Sequence, residues 1–281
     1  MMRAFIGRAG IYVWHTIVSV AVAGLILSVF WTVSYTLSVH HRRQAERLLQ
    51  QLAALQPGVT GFRTAQKIAR DLGGSEQCSG DSCRYDFDNS FAVPKSGTLG
   101  ALRRTEWDYL GLRPWRVTAR IETKNSELTD VEFMAGVGRG RGWLYNEGLF
   151  SGNMWATLMT SVTVNAGRFE QRLRLEREGT RENTIRTGHH IEAGSGGIIL
   201  IKPSFDTPGG GEALEVYLSP DALPESRRVA FDLNLRCATT VSPCTELCEI
   251  APSAWRLYSE FLRSNGWSGG EPTGCAAESH K

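Results

Sequence analysis

The chain has 281 residues, 42% of them hydrophobic, and its 31 basic and 29 acidic side chains leave a net charge of +2. That hydrophobic content excludes a disordered chain, because it supplies enough apolar surface for a folded core. The near-balance of charge gives no electrostatic case for a nucleic-acid partner, which calls for a concentrated basic surface.

An uncharged segment near the N-terminus predicts a single-pass membrane protein. Residues 9–41 contain no Lys, Arg, Asp or Glu, and a helix needs about 20 predominantly apolar residues to cross a bilayer. We therefore expect a short tail at 1–9 and a transmembrane helix at 10–39. The apolar core of a signal peptide is shorter, about 7–15 residues, and precedes a small-residue cleavage site. Neither condition is met, so the segment is expected to remain in the lipid bilayer as a signal-anchor.

Aromatic and basic residues flank this segment where a bilayer meets water. Trp14 lies near one end, and Trp31 and Tyr35 lie near the other, as in the aromatic belts of membrane helices. Arg42 and Arg43 follow directly, and we expect them to contact lipid headgroups.

The six cysteines favour disulfide bonds and therefore an oxidising compartment. They form one close pair and one C-terminal group: Cys78, Cys83, Cys237, Cys244, Cys248 and Cys275. Two arginines precede the anchor and three follow it closely. This difference slightly favours a cytoplasmic C-terminal domain, but large domains cross membranes regardless of so small a margin. We expect the C-terminal domain to be extracytoplasmic.

The four C-terminal cysteines leave a zinc alternative, because four thiolates suit tetrahedral zinc. Ligand pairs in structural zinc sites usually lie about two to four residues apart, and only Cys244 and Cys248 have that spacing. The disulfide interpretation is favoured, and no metal or other cofactor is expected. A cytoplasmic domain with a cysteine-based zinc or redox site is the alternative.

Two helices are expected to follow the anchor, within residues 40–74. The first has leucines at helical spacing, namely Leu48, Leu49, Leu52 and Leu55. The breaker Pro57-Gly58 ends it. A second helix fits residues 62–72, with Gly73-Gly74 as its stop.

Antiparallel strands are expected over residues 75–137. The clearest signal is a hairpin across Lys124-Asn125-Ser126, because apolar residues recur at every second position on both sides. Those positions are Trp115, Val117, Ala119, Ile121, Val131, Phe133, Ala135 and Val137. A strand with alternating aromatic residues is also expected after Cys83.

A second β-rich module is expected at 154–266, after a Gly-rich loop at 138–153. Residues 156–165 and 168–177 are candidates for a hairpin, although 168–177 also suits a helix. Further strands are predicted for three segments, 198–201, 214–218 and 229–235.

An amphipathic helix at 252–263 closes this module, and a flexible tail follows at 267–281. The fold class is therefore α+β, with an N-terminal transmembrane helix, a helix pair, antiparallel β-sheet and a C-terminal helix.

Residues 51–137 also carry a local resemblance to a known envelope module. The run Leu55-Gln56-Pro57-Gly58-Val59-Thr60, then a short helix ending in Gly73, then strands, resembles the opening of the SmpA/OmlA module. That module is a small lipoprotein of the outer-membrane assembly machinery, related in fold to the β-lactamase inhibitor protein. This chain departs from it in its transmembrane anchor, a long insert between the first two strands and a large second half. The resemblance implies a partner-binding scaffold in the cell envelope, without catalysis.

Sequence motifs identify no catalytic or cofactor-binding residue. His189 and His190 are adjacent, and adjacent strand residues point to opposite faces, so on a strand they cannot share a metal. The glycines from Gly136 to Gly142 lack the pattern of a phosphate-binding or dinucleotide-binding loop. We therefore expect a non-enzymatic protein with a protein partner in the envelope. The alternative is a membrane-tethered hydrolase whose residues meet only in the fold, with candidates Asp86, Asp88, Glu192 and Asp232.

Overall fold

The computed structural model describes residues 2–91, 115–138, 158–178, 190–192, 197–201, 212–239, 244 and 246–264. The chain divides into two units, Met1–His40 and His41–Lys281. Most of the predicted Gly-rich loop and all of the predicted C-terminal tail lie outside the described residues.

Helix α1 (Met2–Ala54) begins in the first unit and contains the candidate membrane anchor. Among the described residues it is the one helix long and apolar enough to cross a bilayer, within Val13–Ala54, and its most apolar window is not buried. The hydroxyls of Ser28 and Thr32 each donate to the carbonyl oxygen one turn earlier, at 2.8 Å. These bonds satisfy polar groups that an apolar environment cannot.

The second unit contains one mixed sheet. Its described strands are β1 (Ser75–Ser79), β2 (Ser82–Phe91), β3 (Trp115–Lys124), β4 (Glu127–Val137), β5 (Leu158–Val164), β6 (His190–Glu192), β7 (Ile198–Ile201) and β8 (Glu212–Leu218). They are ordered β1-β2-β3-β4-β5-β8-β7-β6 across the sheet. The α+β class is confirmed. One correction is that β5 and β8 are parallel, whereas only antiparallel pairing was expected.

The helices that follow α1 are short: α2 (Phe62–Asp71), α3 (Ala166–Glu178), α4 (Pro224–Phe231), α5 (Leu247–Ile250) and α6 (Pro252–Ser264), with a 3-10 helix at Leu235–Thr239. The end of α1 packs with the sheet, because Ala45 shares a small apolar cavity with Trp115 of β3, Ala135 of β4 and Ile250 of α5. The core around Trp115 therefore lies on the face of the sheet that packs with the end of α1.

The predicted hairpin is confirmed as β3 and β4. Val117 pairs with Ala135 and Ile121 with Val131, and all eight predicted apolar positions are buried. At the turn, Asn125 and Ser126 have φ values of 52° and 64°, the left-handed conformation that a type I′ turn requires.

A β-bulge in β4 changes which side chains reach the core. Glu122 pairs with Asp130 and Thr123 with Leu128, so Thr129 is an extra residue in the ladder. As a result Leu128 shares the core face with Val131 and is buried. Asp130, two residues after Leu128, lies on the opposite face.

For residues 168–177 the helix alternative is confirmed and the hairpin is wrong, and the strand predicted for residues 229–235 is also wrong. Residues 168–177 belong to α3 and do not pair with β5, because Asn165 caps a helix by accepting the backbone N–H of Arg168 at 2.9 Å. Residues 229–235 are the end of α4 and the start of the 3-10 helix. Pro224 at the first turn starts that helix, and the buried residues Arg227 and Phe231 are one helical turn apart.

The helix pair predicted for residues 40–74 is present, but its first member is the end of α1 rather than a separate helix. The chain turns at Gly58, whose φ is 78° and whose N–H donates to Leu128 O at 3.2 Å. The two β-rich segments that the sequence separates also share one sheet, since β4 pairs with β5.

Arg227 joins α4 to the end of α1. Its Nη2 donates to Ala53 O at 3.2 Å and also to Leu55 O, where a helix leaves carbonyl groups without partners. The residue is 6% exposed, and burial lowers the pKa of its guanidinium. Arg227 therefore fixes the position at which α1 ends in the second unit.

Candidate functional site

The face of β2, β3 and β4 opposite the core carries alternating charges. Strand alternation places these side chains together, and we call them the charged face: Arg84, Asp86, Asp88, Arg116, Arg120, Glu122 and Glu132. The register sets opposite charges side by side, with Asp86 beside Arg120 and Arg120 beside Glu132. Cross-strand neighbours of opposite charge stabilise such a pairing.

Arg120 lies at the centre of the charged face and bridges three strands. Its Nε lies 3.2 Å from Asp86 Oδ1 on β2, and its Nη1 lies 3.3 Å from Glu132 Oε2 on β4. Arg84 approaches the same aspartate, with Nε 2.7 Å from Oδ2, and this hydrogen bond raises the pKa of Arg84.

A second ion pair lies towards the end of β2. Arg116 binds Asp88 with two nitrogens, at 2.6 and 3.1 Å, the bidentate arrangement that fixes both side chains. The side chains of the charged face are 28% to 52% exposed. Ion pairs this exposed contribute only about 0–1 kcal/mol each to stability. These ion pairs therefore contribute little to the stability of the fold.

Asp130 differs from these residues because its side chain is only 2% exposed. Its Oδ2 lies 3.7 Å from Arg168 Nη2, and its Oδ1 has no hydrogen-bond partner among the described residues. Burial raises the pKa of Asp130 to about 6. The charge of Arg168 lowers this pKa, whereas the charges of Glu122 and Glu132 raise it further. Few carboxyl groups in proteins change charge near neutral pH, and those that do are often found in functional sites.

The helix α3 supplies Arg168, whose Nη2 lies 3.7 Å from Asp130 Oδ2. Asn165 fixes the start of α3 against β4, because its Nδ2 donates to Thr129 O at 3.3 Å. Arg168 also contacts Glu132, at 3.2 Å. Sequence reasoning missed Asp130, and the one available signal was the Asn165-Ala166-Gly167 cap that begins α3.

Further along α3, a small apolar cluster holds the helix on β7 and β8. Phe169 packs with Ile199 and Ile201, and Leu173 and Tyr217 lie against them. Arg172 adds polar contacts, to Glu215 at 3.3 Å and to the Tyr217 hydroxyl at 3.1 Å. Burial, followed by the charge of Glu215, raises the pKa of Tyr217.

The cysteines form disulfides at the edge and in the C-terminal part of the second unit. Cys78 is bonded to Cys83 across β1 and β2, and Cys237 to Cys244. Cys248 is also disulfide-bonded, while Cys275 lies outside the described residues. The predicted disulfides are confirmed for the two pairs. The zinc alternative requires free thiolates, and none of the described cysteines is free.

Glu76 lies close to the Cys78–Cys83 disulfide, with the three ligand atoms within 4.8 Å of one another. Both sulfur atoms are already bonded to each other, so this group does not offer thiolates to a metal. Glu76 instead accepts hydrogen bonds from Arg70 at 3.1 Å and from the Tyr85 hydroxyl at 3.0 Å. The bond from Arg70, followed by that from Tyr85, lowers the pKa of Glu76.

The predicted membrane-interface residues fall into two groups. Trp14 and Tyr35 are exposed on α1, and Trp31 stacks on Tyr35 with ring centroids 5.2 Å apart. Arg43 is exposed. Arg42 has only 14% of its side chain exposed, because it donates to Thr239 at 2.8 Å and pairs with Glu46 at 3.3 Å. Arg42 thus contributes to the packing of the second unit.

Two of the acidic residues considered for a hydrolase share one strand face, and a third has a partner elsewhere. Asp86 and Asp88 belong to the charged face, and Asp232 accepts a hydrogen bond from Ser253. The side chain of Glu192 and all of His189 lie outside the described residues.

Comparison of the chain with protein-family models, with curated proteins and with solved structures gives no match. The resemblance of residues 51–137 to the SmpA/OmlA module therefore stays a prediction.

Proposed function

We propose that this chain is a membrane-anchored, extracytoplasmic protein that binds a protein partner through the charged face, in a non-enzymatic scaffolding role in the cell envelope. The observation that carries this proposal is the exposed, ordered alternation of arginine and carboxylate side chains across β2, β3 and β4. The weak SmpA/OmlA resemblance points to the same class of protein.

The charge balance of this face favours a protein partner over an anionic one. Arg84, Arg116 and Arg120 are matched by four carboxylates on the same strands. Such a mosaic has no net positive field, so it does not attract nucleic acid or an acidic lipid surface. Alternating charges instead discriminate between partners by sign and register.

The disulfides support an extracytoplasmic position for the second unit. Cys78 bonds Cys83 and Cys237 bonds Cys244, and such bonds persist in oxidising compartments. Together with the apolar helix that carries the candidate span, this favours a protein anchored in the membrane with its folded part outside the cytoplasm.

Thiol labelling of intact cells tests this orientation. With a membrane-impermeant maleimide, we expect labelling of the native chain only after reduction. The chain with all six cysteines replaced by serine controls for reaction elsewhere. Labelling that requires lysis but no reductant would contradict the proposal. That result would favour the cytoplasmic zinc or redox alternative, which metal analysis of the purified protein would then examine.

Photo-crosslinking tests the binding surface. A crosslinking amino acid at Thr118, between the two ion pairs of the charged face, is expected to capture a protein partner in cells. The decisive variant exchanges charges within one pair, Asp88→Arg with Arg116→Asp. It keeps an internal ion pair but inverts the pattern that a partner meets, so we expect crosslinking to fall at least about tenfold, equivalent to about 1.4 kcal/mol of binding.

Arg63→Glu, an exposed reversal on α2, is the matched control and should leave crosslinking unchanged. Equilibrium unfolding confirms that the exchanged pair has not altered the fold. Equal crosslinking in the native chain and the charge-exchange variant would overturn the charged face as the binding surface.

One observation favours the hydrolase alternative, namely the buried Asp130 carboxyl, whose pKa of about 6 suits proton transfer at neutral pH. Hydrolysis of ester, amide or glycoside substrates by the purified chain, abolished by Asp130→Asn, would replace the binding proposal with this one.

A further inference from the structure

The attachment of α3 to the sheet combines polar contacts with the apolar cluster around Phe169. Apart from the small cluster around Phe169, the helix is held by Arg168 with Glu132, by Arg172 with Glu215 and by the Asn165 cap. Asp130 lies beneath the first of these contacts and is almost completely removed from solvent.

We propose that Asp130 is a proton-binding site that controls how firmly α3 is held on the sheet. With the carboxyl neutral, α3 stays closed over β4, β7 and β8. With the carboxyl ionised, the start of α3 opens more often, which admits water to Asp130 and uncovers the apolar side chains of Ile199 and Ile201.

The surroundings of Asp130 explain why ionisation favours opening. Arg168 of α3 and Arg120 of β3 attract the carboxylate, whereas Glu122 of β3 and Glu132 of β4 repel it. Arg168 is shared with Glu132, to which it is closer, and Asp130 Oδ1 has no hydrogen-bond partner in the described part of the chain. A buried carboxylate with one unsatisfied oxygen costs free energy that opening to water recovers.

The expected size of the effect follows from proton linkage. The pKa of Asp130 is about 6 with α3 closed, and access of water with α3 open lowers it towards the ordinary value of 3.8, which is the limit of the shift. Raising the pH from well below to well above this interval should increase the opening equilibrium by up to about 100-fold.

Hydrogen exchange of the full-length protein in detergent measures this opening directly. The native chain is followed at about pH 4.5 and about pH 8, with intrinsic exchange rates corrected for pH. We expect amides of α3 to lose protection at the higher pH by at least about tenfold, while amides of β3 keep theirs. Asp130→Asn should remove the difference and keep α3 protected at both values.

Asp71→Asn is the matched control, because it removes an exposed carboxylate of α2, away from the charged face, and should retain the native pH dependence. Equal protection of α3 at both pH values in the native chain overturns the proposal, even if Asp130→Asn does not fold. So does a pH dependence that persists in a folded Asp130→Asn variant.

Discussion

Replacement of Asp130 by asparagine is expected to stabilise the protein at about pH 8 by on the order of 2–3 kcal/mol. Burial raises the pKa of this carboxyl in the folded chain to about 6, whereas its ordinary value is 3.8. Between these values the folded chain binds the proton and the unfolded chain does not, so stability falls as the pH rises from about 4 to about 6. Asparagine has nearly the same shape and cannot ionise, so it avoids this loss.

Denaturant unfolding of the full chain in detergent, repeated across this pH range, checks the expectation. The difference between the native chain and Asp130→Asn should be largest above about pH 6 and should disappear near pH 4. Asp71→Asn provides the comparison, since it removes a carboxylate that is exposed on α2. A native chain whose stability rises between about pH 4 and pH 6, with no gain in Asp130→Asn, would contradict the assigned effect of burial.

Replacement of Arg227 by methionine is expected to destabilise the second unit by about 2 kcal/mol or more. Methionine fills much of the same volume but donates no hydrogen bond. The carbonyl oxygens of Ala53 and Leu55 would then be buried without their donor, at a cost of about 1–3 kcal/mol for each unsatisfied group. Part of that cost is offset because the buried charge is also removed.

The neighbouring Arg228 is the control for this substitution. Its side chain is 69% exposed and pairs with Glu225, so Arg228→Met should change stability by less than about 0.5 kcal/mol. The two variants are compared by equilibrium unfolding, and exchange of the last α1 amides gives a local readout. Equal stability of the two variants would show that Arg227 does not hold the end of α1.

The parts of the fold that the sequence predicted well are those fixed by local patterns. The β3–β4 hairpin follows from apolar residues at every second position around a turn, and α6 from apolar residues at helical spacing. The strand β7 follows from four consecutive apolar residues, which are buried on both sides of the sheet.

The errors arise where tertiary contacts override the local pattern. Alternation at Val229 to Leu235 suits a strand, but Pro224 begins a helix that buries Arg227 against the end of α1. The candidate site shows the same limit. Asp86 and Arg120 have the expected alternation of a solvated sheet face, whereas the burial of Asp130 depends on a bulge and on a helix that begins 36 residues later. No local signal in β4 indicates that cover.

The parallel pairing of β5 with β8 has a consequence for the order in which the chain is assembled during synthesis. Strands β1 to β5 pair in sequence order, so each partner is available as soon as the next strand is made. The other neighbour of β5 is β8, which begins only at Glu212. Until that segment emerges, the outer edge of β5 is an open template for any extended chain nearby. The nascent protein is therefore most exposed to misassembly after Val164 has been made and before Leu218 arrives.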